Sequence, residues 1–326
     1  METRTLGRTG RDVSVVGLGT WQLGADWGDV TPEEATAVLD AAVDEGVTFF
    51  DTADVYGDGR SEQLIGDYLR SRPGHDIFVA TKMGRRAEQD PKHFTMDNFR
   101  TWTDRSRGNL GVDTLDLVQL HCPPTAVFSD DRVFDDLDTL VADKVIAAYG
   151  VSVETVDEAL TAIARPNVAS VQIILNAFRL KPLDEVLPAA REAGVGIIAR
   201  VPLASGLLSG RYTAETTFAA DDHRTYNRGG EAFDVGETFS GVDFETGVAA
   251  AQEFAGLVPE GVHPAQAAIA WILAQDGVTA AIPGARNVKQ ARSNAEAAAV
   301  TLPASFGTGV HDIYDRLLRE SIHPRW

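Results

Sequence analysis

Residues Val47–Tyr56 read VTFFDTADVY, and this stretch decides the architecture. Val47, Thr48, Phe49 and Phe50 are β-branched or aromatic, the composition of a buried strand. A helix-like run, TPEEATAVLDAAVDEG, precedes them. The strand ends in a carboxylate, Asp51, and Tyr56 follows in a Gly-containing loop, YGDGRSE. The next strand, IFVATK, ends in Lys82, and the one after, LDLVQLH, ends in His121. An acid, a phenol, an amine and an imidazole thus follow the C-terminal ends of three consecutive strands.

Working outward, the same alternation covers the chain. Arg4–Leu6 and Asp12–Val13 flank LGRTG as a small hairpin, and 14–19 is a short apolar strand. Helix 31–45 has Thr31 as N-cap, Pro32 in the first turn, Glu34 at N3 and Gly46 as its stop. Helices at 61–71, 97–109, 132–142, 154–164 and 183–193 alternate with strands at 77–82, 115–121, 145–151, 169–175 and 196–201. Helices 244–256 and 264–274 precede strand 278–282, and helix 287–299 closes the pattern. A further helix lies in 303–326. Eight such strands predict a (β/α)8 TIM barrel with an N-terminal β-hairpin and long C-terminal-face loops, as a single domain over 1–326. No GxGxxG follows the first strand, which argues against a doubly wound dinucleotide fold. Residues 202–243 form an insertion on the C-terminal face, read either as a functional loop or as a lid without chemistry.

Composition narrows the function classes. The chain has 326 residues, 44% of them hydrophobic, enough for a large core. A net charge of −19 disfavours nucleic acid and anionic membranes as partners, so an anionic cofactor needs a local basic pocket. Cys122 is the one cysteine, so no intrachain disulfide can form. METRTLGRTG lacks an apolar signal region and no apolar run is long enough to span a bilayer, which leads us to expect a cytoplasmic protein.

Asp51, Tyr56, Lys82 and His121 together suit proton transfer to a carbonyl oxygen as hydride arrives at carbon. A phenol titrates near 10, too high for easy proton loss. A neighbouring ammonium is expected to lower that value, and a carboxylate keeps a partly buried lysine charged. A histidine can orient the carbonyl. Each residue alone has a plain structural reading: a turn cap, loop packing, a solvated strand end, a core histidine.

FFDTADVYGDGRSEQLIG, VATKMG, NLGVDTLDLVQLHCPP, YGVS, PLASGLLSGRY and AIPGARNVKQARSN resemble the aldo-keto reductases, along nearly the whole chain. The resemblance implies a (β/α)8 barrel, NADP(H)-dependent reduction of an aldehyde, ketone or sugar carbonyl or the reverse, and no metal. It makes Tyr56 the general acid/base, Lys82 and Asp51 its tuning groups, and His121 the group that positions the carbonyl. It places Ser152 and Gln172 at the nicotinamide carboxamide, with Asp51, Gly19, Thr20 and Trp21 around the reaction site; Trp21 also reads as core packing. Pro202, Leu203, Gly206, Leu207 and Arg211 match the pyrophosphate loop. Gly284, Arg286, Gln290 and Asn294 match the adenosine end, where Arg286 reads either as a 2′-phosphate ligand or as a surface arginine.

Three positions depart from the family pattern. Val153 stands where many members have Asn or Arg, which implies one lost carboxamide contact. Arg200 replaces an aromatic that stacks on the nicotinamide, and a planar guanidinium can stack there too. Gly284–Ala285 replaces a Lys–Ser pair, so preference for NADP over NAD rests on Arg286, and NAD(H) stays open. A second reading is a cofactor-binding regulatory subunit, like the potassium channel β subunits of this fold; the absence of an extension before the barrel weighs against it. A metal-dependent barrel hydrolase requires His-x-His at the first strand end, where this chain has GLGTW. Trp27, Phe94, Phe128 and Trp326 are candidates for an apolar substrate pocket or for lid packing. Arg85, Arg224 and Arg228 either meet a polar substrate or offset nearby acids. The substrate and the oligomeric state are not legible.

Overall fold

A computed structural model describes residues 1–24 and 30–326, which leaves Trp27 outside the described residues. β1 (Thr3–Thr5) and β2 (Asp12–Ser14) pair antiparallel as the expected hairpin. The barrel strands are β3 (Leu18–Gly19), β4 (Phe49–Asp51), β5 (Phe78–Met83), β6 (Leu117–His121), β7 (Tyr149–Ser152), β8 (Ser170–Ile174), β9 (Gly196–Arg200) and β10 (Val278–Ala281). They hydrogen-bond in sequence order, all parallel. Gly17 N donates to Ala281 O at 2.8 Å and Gly19 N to Pro283 O at 3.1 Å, so the first and last strands join and the sheet closes.

Helices alternate with these strands: α1 (Pro32–Asp44), α2 (Arg60–Arg70), α3 (Met96–Leu110), α4 (Asp131–Ala142), α5 (Val156–Ile163) and α6 (Val186–Ala193). After the insertion, which holds the short α7 (His223–Tyr226), come α8 (Phe244–Leu257), α9 (Pro264–Leu273), α10 (Val288–Glu296) and α11 (Ala304–Ile313). Thr31 and Glu34 form the expected capping box on α1, which satisfies backbone N–H groups the helix leaves unpaired. The strand expected at 14–19 is broken in two: Ser14 serves the hairpin, Val16 only bridges Ala281, and Leu18–Gly19 form β3. No helix among the described residues is long and apolar enough to cross a membrane.

The period of two along each strand explains how the fold positions chemistry. One face of every strand packs against the helices, through Phe50, Val79, Val118, Val151, Val171 and Ile197. The other face fills the barrel. There Phe49, Phe78, Ala80, Leu117, Ile198 and Ala280 form an apolar plug, floored by Leu6 and Val13 of the hairpin. Two residues further along the same face, polarity switches: Phe49 is followed by Asp51, Ala80 by Lys82, Leu117 by Gln119 and then His121, and Ile198 by Arg200. The apolar plug holds the polar layer at the C-terminal mouth.

Candidate active site

Register places the inward polar residues side by side. Lys82 pairs with Gln119 across β5 and β6, and His121, Ser152 and Gln172 form one row across β6, β7 and β8. Lys82 is almost fully buried, with Nζ 2.5 Å from Asp51 Oδ1 and 2.9 Å from Thr52 O. Gln172 Nε2 and Gln119 Nε2 donate to Asp51 Oδ2 at 2.8 and 3.2 Å. Both carboxylate oxygens are therefore occupied, as a buried charge requires. Burial, the largest influence on Lys82, opposes its charge; Asp51 and Tyr56 outweigh it and the pKa ends above the ordinary lysine value.

Tyr56 enters this layer from the loop after β4. Lys82 Nζ lies 5.2 Å from its ring centroid, the His121 ring stands edge-on at 6.0 Å, and Trp21 stacks at 6.1 Å. Gly57, at φ 57°, lets this loop press on the turn before it: a Cβ there would overlap the Gly24 carbonyl. Thr20 Oγ1 donates to Asp51 O at 2.9 Å, and Ser61 Oγ donates to Thr20 O at 3.0 Å, tying the first strand end, β4 and α2 together.

The expected lowering of the Tyr56 pKa is corrected by the structure. Burial raises it, and this exceeds the opposing pull of Lys82, so the phenol keeps its proton at neutral pH. His121 is pushed well below the usual imidazole range, first by burial and then by Arg85, Lys82 and Arg200, and is neutral. Its Nδ1 has no hydrogen-bond partner among the described residues.

These groups border a cavity of about 490 Å³ that runs across the barrel mouth. Gly19, Thr20, Trp21, Asp51, Tyr56, His121, Ser152, Gln172 and Arg200 line it. Pro202, Leu203, Gly206 and Arg211, from the segment after β9, line it too, as do Gly284, Arg286, Gln290 and Asn294 from the segment after β10. Lys82 lies behind Asp51 and Tyr56 and does not line the cavity. Gln290 accepts from Arg286 N and Asn294 donates to Gly284 O, so both side chains hold the 284–286 backbone. Val201, Ala204 and Ser205 adopt φ of 53°, 46° and 54°, strained values that bend this backbone after β9 along the cavity.

Several expectations change. Leu207 is fully buried and lies outside the cavity lining, because it packs toward α8 at Gly247. Phe94 and Phe128 are core residues, and Trp326 is also absent from the lining. Val153 is fully buried; its carbonyl accepts from Arg200 Nη2 at 2.9 Å. Arg200 Nη1 meets Glu237 Oε1 at 2.5 Å, so the insertion reaches the reaction end. Arg85 donates to His121 O at 3.2 Å, Arg224 pairs with Asp222 at the cavity, and Arg228 donates to Arg224 O.

Sequence reasoning missed Gln119, Glu237, His223 and Lys289. Gln119 was findable, being two residues before His121 on the inward face of β6. Lys289 was findable too, three residues after Arg286 at the start of α10. Glu237 and His223 gave no local signal, since the insertion has no regular period.

Among the described residues no His, Cys, Asp and Glu cluster could hold a metal ion. The residues fit a dinucleotide instead. In a chain of net charge −19, Arg211, Arg286 and Lys289 line the same cavity as His121 with its unpartnered Nδ1.

Comparison with known proteins agrees with this geometry. Residues 15–315 match the model of the aldo/keto reductase family. The chain is 27% identical over 332 residues to the aldo-keto reductase YhdN of Bacillus subtilis, covering 100% of this chain and 97% of that one. It is 28% identical over 310 residues to the aldo-keto reductase yakc [NADP(+)] of Schizosaccharomyces pombe, covering 92% and 87%. The structure of the glycerol dehydrogenase AKR11B4 from Gluconobacter oxydans superposes with a TM-score of 0.79 at 30% identity, covering 97% and 96%. With the closed eight-stranded barrel and a match over almost all of its length, the chain belongs to the aldo/keto reductase family.

Proposed function

We propose that this protein is an NADP(H)-dependent oxidoreductase that interconverts a small aldehyde, ketone or sugar carbonyl with its alcohol, and that residues 1–326 act as one domain. The observation that carries this reading is the buried Asp51–Lys82 pair beside Tyr56 and His121, at a cavity also lined by Arg211, Arg286 and Lys289. The yeast relative's name carries NADP(+), which supports the choice of cofactor.

The cofactor, when bound, supplies or accepts the hydride. Tyr56 donates the proton to the carbonyl oxygen in reduction and takes it back in oxidation. Lys82, held charged by Asp51, stabilises the phenolate that forms. His121, neutral, orients the oxygen without competing as an acid. Ser152 and the free oxygen side of Gln172 meet the carboxamide, and Gly19, Thr20, Trp21 and Arg200 wall the ring. Backbone at 202–206 and Arg211 receive the pyrophosphate. Arg286 and Lys289 receive the 2′-phosphate, within a loop braced by Gln290 and Asn294.

The test is titration with NADPH and NADH, then nicotinamide absorbance decay against aldehydes, ketones and keto-sugars, with Tyr56→Phe alongside. The expected result is tight NADPH binding with turnover, and a Tyr56→Phe variant that binds equally well but turns over at least about a hundredfold slower. Equal loss of binding and turnover would remove Tyr56 from its role. Binding without turnover across the panel would favour a regulatory subunit.

A further inference from the structure

Trp326 does not line the cavity, yet the insertion is moulded on it. Its ring stacks on the Arg179 guanidinium at 3.8 Å, and its Nε1 donates to Asp234 Oδ2 at 3.4 Å. Arg179 is 1% exposed, and its Nε and Nη1 have no hydrogen-bond partner among the described residues. Its Nη2 donates to Glu154 O at 2.7 Å, which anchors the stack to the loop after β7. A guanidinium buried with unmade hydrogen bonds relies on its stacking partner and on nearby carboxylates. Asp234, Glu237 and Glu154 are those carboxylates, although burial, the dominant influence, still pulls its pKa down to about 9.

Two glycines in the insertion carry the imprint of this stack. A Cβ at Gly241 would overlap the Trp326 ring, and one at Gly236 would overlap Arg179 Nη1 and approach Trp326 Cζ2 at 3.2 Å. Glu237 lies between these glycines. Ser205 Oγ donates to its carbonyl at 2.9 Å and accepts from Phe239 N at 3.0 Å, and Asn176 Nδ2 donates to Ser240 Oγ at 2.7 Å. The Glu237 side chain lines the cavity and meets Arg200, and its charge acts on Tyr56. The path from Trp326 to the reaction end is therefore continuous: indole, Arg179 and glycine backbone, Glu237, Arg200.

We propose that Trp326 is a positioning residue for the reaction pocket, which holds segment 234–241 on Arg179 so that Glu237 meets Arg200 and shapes where the carbonyl substrate sits. This rests on the reading of the cavity as a carbonyl-reductase site. It predicts an effect on substrate KM rather than on the chemistry of the buried Asp51–Lys82 pair.

The experiment is a double-mutant cycle between Trp326→Ala and Glu237→Gln, with Trp326→Phe as the conservative variant. Trp326→Ala should raise substrate KM about tenfold while kcat changes less than about threefold. Trp326→Phe should restore most of the loss, and in the Glu237→Gln background the effect of Trp326→Ala should largely disappear. Equal effects in both backgrounds, or an unchanged KM, would overturn the proposal. Should Trp326→Ala not fold, Trp326→Phe and Trp326→Leu carry the same cycle. Hydrogen exchange at the amides of 236–241 separates this idea from the function it rests on. Faster exchange in Trp326→Ala, slowed again in Trp326→Phe, is expected even in a protein that turns nothing over, and unchanged exchange would overturn the positioning role.

Discussion

Gln172 Nε2 donates to Asp51 Oδ2 at 2.8 Å, on the carboxylate oxygen opposite the one that binds Lys82. The residue proposed to meet the carboxamide thus also braces the residue that keeps Lys82 charged. Gln119 adds a second amide to the same oxygen at 3.2 Å.

Asp51→Asn leaves the buried Lys82 ammonium without its counter-charge, so it should destabilise the fold by about 3–5 kcal/mol and nearly abolish turnover. Gln119→Leu removes one neutral donor and should cost only about 1–2 kcal/mol. Denaturant titration compares them, and similar losses for both would contradict the charge-pair account.

The pH dependence of the two directions should differ. Burial, against the pull of Lys82, keeps Tyr56 protonated through neutral pH. Reduction uses the protonated phenol and should hold its rate up to and through the ordinary phenol value near ~10, because the Tyr56 pKa lies above it. Oxidation uses the phenolate, so its kcat/KM should climb about tenfold per pH unit from neutral upward. Initial rates in both directions, from about neutral pH up to the ordinary phenol value near ~10, check this; an oxidation optimum near neutrality would count against Tyr56 as the titrating group.

Arg286 and Lys289 border the cavity at the start of α10, whose N-cap is Asn287. Arg286→Ala should weaken NADPH about tenfold more than NADH, and adding Lys289→Ala should remove the remaining preference. Fluorescence titration of both cofactors decides, and parallel weakening would place the 2′-phosphate elsewhere.

Asp54, in the DTADVY motif, is fully buried, and neither carboxyl oxygen has a hydrogen-bond partner among the described residues. Burial, reinforced by Glu62, pushes its pKa up to about 7. The folded state therefore binds this proton more tightly than the unfolded chain does. Its contribution to stability is present below the ordinary carboxyl range and is lost as pH rises to about 7. Asp54→Asn should remove this slope, so its stability relative to the parent should grow by up to ~1.4 kcal/mol per pH unit across that window and then level off. Parallel stability curves in urea would assign the proton to another group.

Much of this was legible locally. The alternation of helical and strand patterns, the hairpin, the capping box on α1 and the four chemical residues at strand ends are all written in short windows. Strand periodicity then dictates that Asp51, Lys82 and His121 face the same interior as Phe49, Ala80 and Leu117. The direction of the Tyr56 shift was not legible, because a neighbouring charge can be guessed from sequence while depth of burial cannot.

The sequence by itself determined the barrel, the polar layer at its mouth and the identities of the groups there, because periods of two and 3.6 are short-range properties. Only the tertiary structure decided what those groups touch. Gln172 reaches Asp51 across 121 residues of chain, and the irregular insertion delivers Glu237 to Arg200. Leu207 turns into the core while Gly206 and Ser209 line the cavity, and Trp326 packs against the insertion without lining the pocket itself. Those outcomes follow from strand register, barrel closure and desolvation, which arise only when distant segments pack and exclude water from one another.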